Sequence, residues 1–287
     1  MWKAMRLALR SRVSRRASTG NSMPGNFTGS PEAAAIVSTR SLKPGDPHYR
    51  AYVGPPGQYD FMGATQFRLL TSLGLREEHR LLDIGCGSLR AGRLFLQYLL
   101  PGRYHGVEPN SWLWREAIEK EIGPCVLDYK APQFFEDDSF EFVFADDGYY
   151  DSILAQSIFS HTGMDLFEKG IASIARILSP AGQALFTVIG PKSTTKVPPW
   201  ARETQGWRYP GCTIFDEAEV REVVQRHAMH AQRLPWFHPR QVWFRCVKDE
   251  HRLLPEPETA FRNGRVWFDE RFDRVWSEPL GADSLAE

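Results

Sequence analysis

Residues 81–92 read Leu-Leu-Asp-Ile-Gly-Cys-Gly-Ser-Leu-Arg-Ala-Gly, and this stretch decides the fold more than any other part of the chain. A short apolar run ends at Asp83, a turn containing Gly85 and Gly87 follows, and an amphipathic stretch begins at Ser88. The pattern predicts a buried strand, a glycine turn and the start of a helix. Such a turn lets the backbone approach a ligand closely, and the helix start offers free N–H groups. We therefore expect a ligand site directly after this strand.

An acidic residue follows the next predicted strand. Glu108 comes after residues 104–107 and lies 25 positions beyond Asp83. At that edge of a parallel sheet a carboxylate can accept hydrogen bonds from both hydroxyls of a bound ribose, so the turn and the acid together predict a nucleoside site in a Rossmann-like α/β domain. A dinucleotide site is the alternative. It expects Gly or Ala three residues after Gly87, where this chain has Arg90, whose side chain would crowd a pyrophosphate.

Apolar segments alternate with amphipathic ones along the middle of the chain. Helices are predicted at residues 67–75, 90–100, 112–122, 167–178 and 216–230, and strands at residues 81–84, 104–107, 140–144, 153–155, 184–189, 232–236 and 242–247. Alternation of this kind, finishing in a hairpin, indicates an α/β fold. We predict a Rossmann-like, doubly wound, seven-stranded sheet that is mostly parallel and has an antiparallel last strand.

Composition limits the class of protein. The chain has 287 residues, of which 42% are hydrophobic, enough for one large α/β domain with appendages or two small domains. The net charge is zero, and no apolar run is long enough to span a bilayer, so neither a nucleic-acid partner nor a membrane span is predicted. Four scattered cysteines without metal spacing argue against structural zinc and suit a reducing cytoplasm.

We expect three segments along the chain. Residues 1–45 form a basic, poorly ordered N-terminal segment, for which an organelle-targeting role is the alternative. Residues 46–248 form the domain. Residues 249–287 form a C-terminal extension that we expect to pack on the domain, because it contains Trp267, Phe268, Phe272 and Trp276.

Four motifs occur in an order that resembles a known superfamily. They are Leu82–Gly87, Gly106–Asn110, Tyr150–His161 and Ala175–Gly182. Together they resemble the class I S-adenosylmethionine-dependent methyltransferases over roughly residues 65–248. The chain departs from that pattern at Leu89, where a third glycine is usual, and at Ala181, in the middle of a Pro-Gly-Gly turn.

The resemblance implies S-adenosylmethionine as the cofactor and a role for each matching residue. The two glycines of the turn would lie beside the methionine moiety, Asp83 would order the turn or meet the ammonium through water, and Glu108 would bind the ribose. Pro109 would flank the adenine, and an acid after strand three would meet its amino group, where we prefer Asp147 to Asp146. The candidate cofactor-binding residues are Asp83, Gly85, Gly87, Glu108, Pro109, Asp147 and Gln156.

Methyl transfer needs alignment and, for an oxygen acceptor, a base. His161 follows strand four, and His238 lies between the last two strands, so these two are the candidate catalytic residues, although packing roles remain open for both. The Asn/Asp-Pro-Pro-aromatic tetrad of nucleic-acid amino methylation is absent after strand four. We therefore expect O-methylation of a small-molecule acceptor. The alternatives are a non-catalytic cofactor-binding protein and a nicotinamide-dependent oxidoreductase, and the oligomeric state stays undetermined.

Overall fold

A seven-stranded sheet is the frame of the protein, whose computed structural model describes residues 41–191 and 212–255. The strands are β1 (Leu81–Ile84), β2 (Tyr104–Val107), β3 (Gln133–Phe135), β4 (Tyr150–Ala155), β5 (Leu178–Val188), β6 (His230–Leu234) and β7 (Val242–Val247). Their order is β3-β2-β1-β4-β5-β7-β6. Strand β7 runs antiparallel to β5 and β6, and the pairs among β1 to β5 are parallel. The predicted doubly wound, mostly parallel sheet is confirmed.

Seven α-helices are described, and short helical turns accompany them. The α-helices are α1 (Tyr49–Tyr52), α2 (Tyr59–Ser72), α3 (Gly92–Tyr98), α4 (Trp112–Ala117), α5 (Val126–Lys130), α6 (Met164–Ile177) and α7 (Glu217–Arg226). Helical turns of the 3-10 type occupy Pro56–Gln58, Phe159–His161 and Glu250–Arg252. Helix α4 continues as a π-helix over Ile118–Ile122, which ends at Gly123 with a φ of 91°.

Helices cover both faces of the sheet because successive strand residues point to opposite sides. Leu82 and Ile84 of β1 pack in one core cluster with apolar residues of α6 and α7. Leu81 packs in a second cluster with residues of α2, α3 and α4. The burial of apolar side chains on both faces is the main stabilising contribution to this fold, and it fixes the carboxyl ends of β1, β2 and β4 at one edge.

The third strand differs from its predicted position. Residues 140–144 were expected to form it, but Phe140 and Phe142 have φ values of 59° and 47°, which a strand does not accommodate. Strand β3 lies earlier, where Gln133, Phe134 and Phe135 pair with residues of β2. The alternating phenylalanines after it belong to an irregular segment in which Phe142 is buried.

Some predicted features lie outside the described residues. These are the basic segment up to residue 40 and the extension from residue 256, with Trp267, Phe268, Phe272 and Trp276. Within the described ranges, no helix combines the length and the apolar character needed to cross a membrane. The same part of the chain holds no group of three or more His, Cys, Asp or Glu side chains that could bind a metal ion.

Candidate functional site

A cleft opens at the carboxyl ends of β1, β2 and β4. Its volume is about 620 Å³, a size typical of small-molecule sites. Apolar residues line much of it, with polar groups at Glu108, Asn110, Asp137, Asp138, Ser157, His161 and Thr162. The predicted site residues that line the cleft are Gly85, Glu108, Pro109 and His161, whereas Asp83, Gly87, Asp147, Gln156 and His238 do not.

The turn after β1 requires its two glycines. Gly85 and Gly87 have φ values of 69° and 52°, in the left-handed region that favours glycine. A Cβ on Gly85 would clash with the side chain of Ile158, and one on Gly87 would come within 2.8 Å of Val53 Cγ1. The glycines therefore allow both the turn itself and the close approach of two neighbouring segments.

Leu89 occupies the place of the third glycine in the superfamily pattern. Its φ of 57° is also left-handed, so the backbone keeps the conformation that glycine would adopt there. Its side chain is fully buried in the core cluster with α2, α3 and α4, and it does not line the cleft. The departure at this position therefore leaves the cleft open.

Glu108 is held at the edge of the cleft by three hydrogen bonds. Its Oε2 accepts from the Gly87 N–H at 3.1 Å, and its Oε1 accepts from the Asn110 N–H at 2.8 Å and from Asn110 Nδ2 at 3.1 Å. A carboxylate offers about four lone pairs, so one remains free on Oε2. Burial raises the pKa of Glu108, and the hydrogen bonds from Asn110 and Gly87 oppose that rise.

Asn110 was not among the predicted site residues. Its side chain is exposed, and its bond to Glu108 can therefore yield to a ligand hydroxyl without leaving a buried group unpaired. The signal for it was present in the sequence, since Asn110 ends the motif Gly106–Asn110.

Asp83 lies in β1, two residues before the glycine turn begins at Gly85. Its side chain is 5% exposed, and Oδ2 accepts a hydrogen bond of 2.8 Å from the hydroxyl of Tyr104. Burial raises the pKa of Asp83 to about 7, although the Tyr104 hydrogen bond and the charge of Arg90 lower it. Asp83 does not line the cleft, and both roles expected for it stay predictions.

Asp147 is not brought to the cleft, and the reason is the displaced third strand. Its side chain is 81% exposed and forms an ion pair of 2.9 Å with Arg176. With β3 at Gln133–Phe135, the acids that follow strand three are Glu136, Asp137 and Asp138, and the last two line the cleft. A run of three acids directly after two phenylalanines was the sequence signal for this position.

Asp137 and Asp138 differ in their availability to a ligand. Asp137 Oδ1 accepts from the Ser139 N–H and hydroxyl, both at 2.7 Å, and Oδ2 accepts from the Phe142 N–H at 3.3 Å. Asp137 therefore stabilises the loop, whereas Asp138 is exposed at the edge of the cleft.

Two further candidates lie at the exit of β4. Gln156 directly follows β4 and is 8% exposed, and its Oε1 is buried with no hydrogen-bond partner among the described residues. His161 ends the 3-10 helix Phe159–His161, and it lines the cleft.

The structure argues against His238 as a catalytic base. Its Nδ1 accepts hydrogen bonds from the Arg240 N–H at 3.2 Å and the Gln241 N–H at 3.0 Å. Burial, with the charges of Arg90 and Arg240, lowers the pKa of His238 to about 3. Its Nε2 lies 3.3 Å from the hydroxyl oxygen of Ser157, which does line the cleft. His238 therefore reaches the cleft only through Ser157.

The comparison with protein families identifies one domain. Residues 82–184 match the model of a family described as a methyltransferase domain. This range begins in β1 and ends in β5, and so contains the glycine turn, Glu108 and the exit of β4. No curated protein matches the chain in sequence.

Solved structures show the same fold at low sequence identity. A chain from the Haloferax volcanii complex that contains the Trm112 methyltransferase activator has a TM-score of 0.52 at 17% identity, with 68% of this chain and 93% of that chain covered. The PH0226 protein from Pyrococcus horikoshii has a TM-score of 0.52 at 14% identity, with 77% and 100% covered. Magnesium protoporphyrin IX methyltransferase from Synechocystis, with bound S-adenosylmethionine, has a TM-score of 0.50 at 15% identity, with 78% and 100% covered.

Proposed function

We propose that this chain is a class I methyltransferase, that it binds S-adenosylmethionine in the cleft and that it methylates an oxygen of a small molecule. The observation that carries the proposal is the position of Glu108. It is a buried carboxylate at the carboxyl end of β2, hydrogen-bonded to the glycine turn, on the wall of the cleft.

The residues at the cleft fit the parts of this cofactor. Glu108 would accept a hydrogen bond from one ribose hydroxyl through the free lone pair of Oε2. Oε1 would accept from the second hydroxyl once the Asn110 side chain releases its hydrogen bond to that oxygen. Pro109 lines the cleft next to Glu108 and would contact the adenine, and Asp138 would accept a hydrogen bond from its amino group. Gly85 lines the cleft on the β1 side, where the methionine moiety would pass.

The bound cofactor would supply a methyl carbon on a positively charged sulfur, so that the acceptor's lone pair forms the new C–O bond while the C–S electron pair stays on sulfur. The protein's part is then to exclude water, to align the acceptor and to take its proton. In this proposal His161 accepts the proton, because it is the one of the two candidate histidines that lines the cleft. The acids that line the cleft would in addition favour the cationic cofactor.

Calorimetric titration tests the cofactor assignment. The full chain is titrated with S-adenosylhomocysteine and, separately, with NAD. Binding of the first in preference to the second is expected, and preference for NAD would favour the oxidoreductase alternative.

A labelled-methyl experiment then tests catalysis. The chain is incubated with methyl-labelled S-adenosylmethionine and the small-molecule fraction of a cell extract, and a labelled product that depends on the protein is expected. Binding without any labelled product would favour the non-catalytic alternative.

The division of the chain, the kind of acceptor and the location of the protein are further parts of the proposal. We retain residues 1–45, 46–248 and 249–287 as the segments of the chain and a small molecule as the acceptor. The four cysteines are free thiols, which suits the cytoplasmic location that we propose.

A further inference from the structure

The exit of β4 presents a serine hydroxyl to the cleft in a fixed position. Ser157 lines the cleft next to Ile158, and its φ of 60° is left-handed, which a serine adopts only when its surroundings hold it there. Its N–H donates to the hydroxyl oxygen of Thr187 at 2.8 Å. The backbone of Ser157 is thereby tied to β5.

The tautomer of His238 follows from its neighbours. Nδ1 accepts two backbone N–H groups, so it carries the ring's lone pair, and the proton of the neutral ring must be on Nε2. The Nε2–H therefore donates to Ser157 Oγ at 3.3 Å.

The orientation of the Gln241 amide follows in the same way. Thr187 is fully buried, and its oxygen already accepts from the Ser157 N–H, so its own proton must go to Gln241 Oε1 at 2.6 Å. The amide nitrogen of Gln241 then faces Ser157 Oγ at 3.1 Å and donates to it.

A serine oxygen accepts two hydrogen bonds and donates one. At Ser157 both acceptor positions are filled, by His238 and Gln241, while none of the described residues accepts its proton. We propose that Ser157 binds the methyl acceptor as a dedicated hydrogen-bond donor, held in that role by His238 and Gln241, and that this selects an oxygen as the methylated atom. The inference rests on the proposed methyl transfer at the same cleft.

Oxygen is selected because of the number of lone pairs on the acceptor atom. A neutral amine has one lone pair, which must point at the methyl carbon during transfer, so a donor can bind that atom only by blocking the reaction. A hydroxyl, phenolate or carboxylate oxygen has at least two lone pairs. Ser157 can then donate to one lone pair while another attacks the methyl carbon, and where the acceptor is a hydroxyl its proton passes to His161.

Two variants of Ser157 separate the hydroxyl from the strained backbone. Ser157→Ala removes the hydroxyl and keeps a side chain at positive φ, whereas Ser157→Gly removes the hydroxyl and relieves that strain. The measurement is the initial rate of label transfer from methyl-labelled S-adenosylmethionine to the small-molecule fraction of a cell extract. Both variants should lose about tenfold or more in rate, while their affinity for S-adenosylhomocysteine stays unchanged.

The matched control is Ser179→Ala. Ser179 lies near the amino end of β5, at the opposite edge of the sheet, and its variant should keep the full rate. A wild-type rate in Ser157→Gly, with only Ser157→Ala impaired, would overturn the donor role, because the backbone alone would then explain the loss.

The chemical identity of the product gives a second test. With a ¹³C-methyl label, the carbon chemical shift distinguishes a methoxy group from an N-methyl group, and a methoxy product is expected. N-methyl products would overturn the inference and the oxygen acceptor, and would leave methyl transfer from S-adenosylmethionine intact. Failure to bind S-adenosylhomocysteine, or no labelled product at all, would overturn the proposed function and the inference with it.

The role of His238 as a positioning residue has its own readout. Nitrogen NMR of the ring should show the Nε2–H tautomer at neutral pH. In His238→Ala the KM for the acceptor should rise and the rate should fall as a result, because the direction of the Ser157 hydroxyl is then less fixed. The affinity for the cofactor should stay unchanged. An Nδ1–H tautomer would overturn the assignment of donors and acceptors.

Discussion

Replacement of Glu108 by alanine removes the group that we assign to the ribose. One lone pair of Oε2 is free, and the exposed Asn110 side chain can release another on Oε1, so up to two ribose hydroxyls lose their acceptor. Loss of one hydrogen bond to a charged group costs about 1.5–3 kcal/mol. The dissociation constant for S-adenosylhomocysteine should therefore rise by about 10- to 150-fold.

The assay is calorimetric titration at a pH where Glu108 is ionised. The variant also leaves the N–H groups of Gly87 and Asn110 without their acceptor, so its folding is checked by thermal unfolding and the titration is done well below the midpoint. Asp147→Ala is the matched control, because Asp147 is an exposed carboxylate that does not line the cleft, and its variant should bind as wild type does. A folded Glu108→Ala variant with unchanged affinity would refute the ribose contact.

Substitutions at three other residues test the surrounding structure. Asp138→Asn should weaken binding of S-adenosylhomocysteine roughly 2- to 10-fold but leave binding of its inosine analogue unchanged, since that analogue lacks the adenine amino group; equal losses for both ligands would contradict the contact. Asp83→Asn should flatten the pH dependence of stability. The pKa of Asp83 is about 7 in the folded chain and about 4 in the unfolded chain. The stabilisation that the protonated side chain contributes to folding is therefore fully present below pH 4 and is lost as the pH rises to 7, by at most about 1.4 kcal/mol per pH unit. Urea unfolding at a series of pH values should show the wild type losing stability relative to the variant over this range. Leu89→Ala should lower the free energy of unfolding by about 2–5 kcal/mol. Leu89→Gly should be more stable than Leu89→Ala by about 1 kcal/mol, because the φ of 57° suits glycine. A Leu89→Gly variant that unfolds at a lower urea concentration than Leu89→Ala would contradict this.

The sequence was sufficient for the sheet apart from its third strand, and among the expected site residues it named Gly85, Glu108, Pro109 and His161, which line the cleft. The strand before the glycine turn and the strand before Glu108 are short, apolar and bounded by breakers, so their positions follow from local pattern. The reversed β7 follows from two apolar runs joined by a short connection near the end of the domain.

The third strand was misplaced because a period of two is not unique to strands. Phe140, Phe142 and Phe144 alternate as a strand would, yet the first two adopt left-handed conformations that only the tertiary packing selects. The preference for Asp147 rested on the same error, because the acid expected to meet the adenine was sought after residues 140–144 and not after Gln133–Phe135.

The role of His238 was out of reach for a different reason. Its proton position depends on two backbone N–H groups of the following turn and on the amide of Gln241, which belongs to the same network. A sequence shows that a histidine is present near the site. Whether it acts as base or donor depends on hydrogen bonds that form only in the folded chain.

A crystal structure of the chain with S-adenosylhomocysteine tests the central claim most directly. We predict a ribose hydroxyl within about 3 Å of a Glu108 carboxylate oxygen, with the adenine against Pro109 and the sulfur on the side of Ser157. A nucleoside bound outside this cleft, or bound in it with Glu108 turned away from the sugar, would contradict the account.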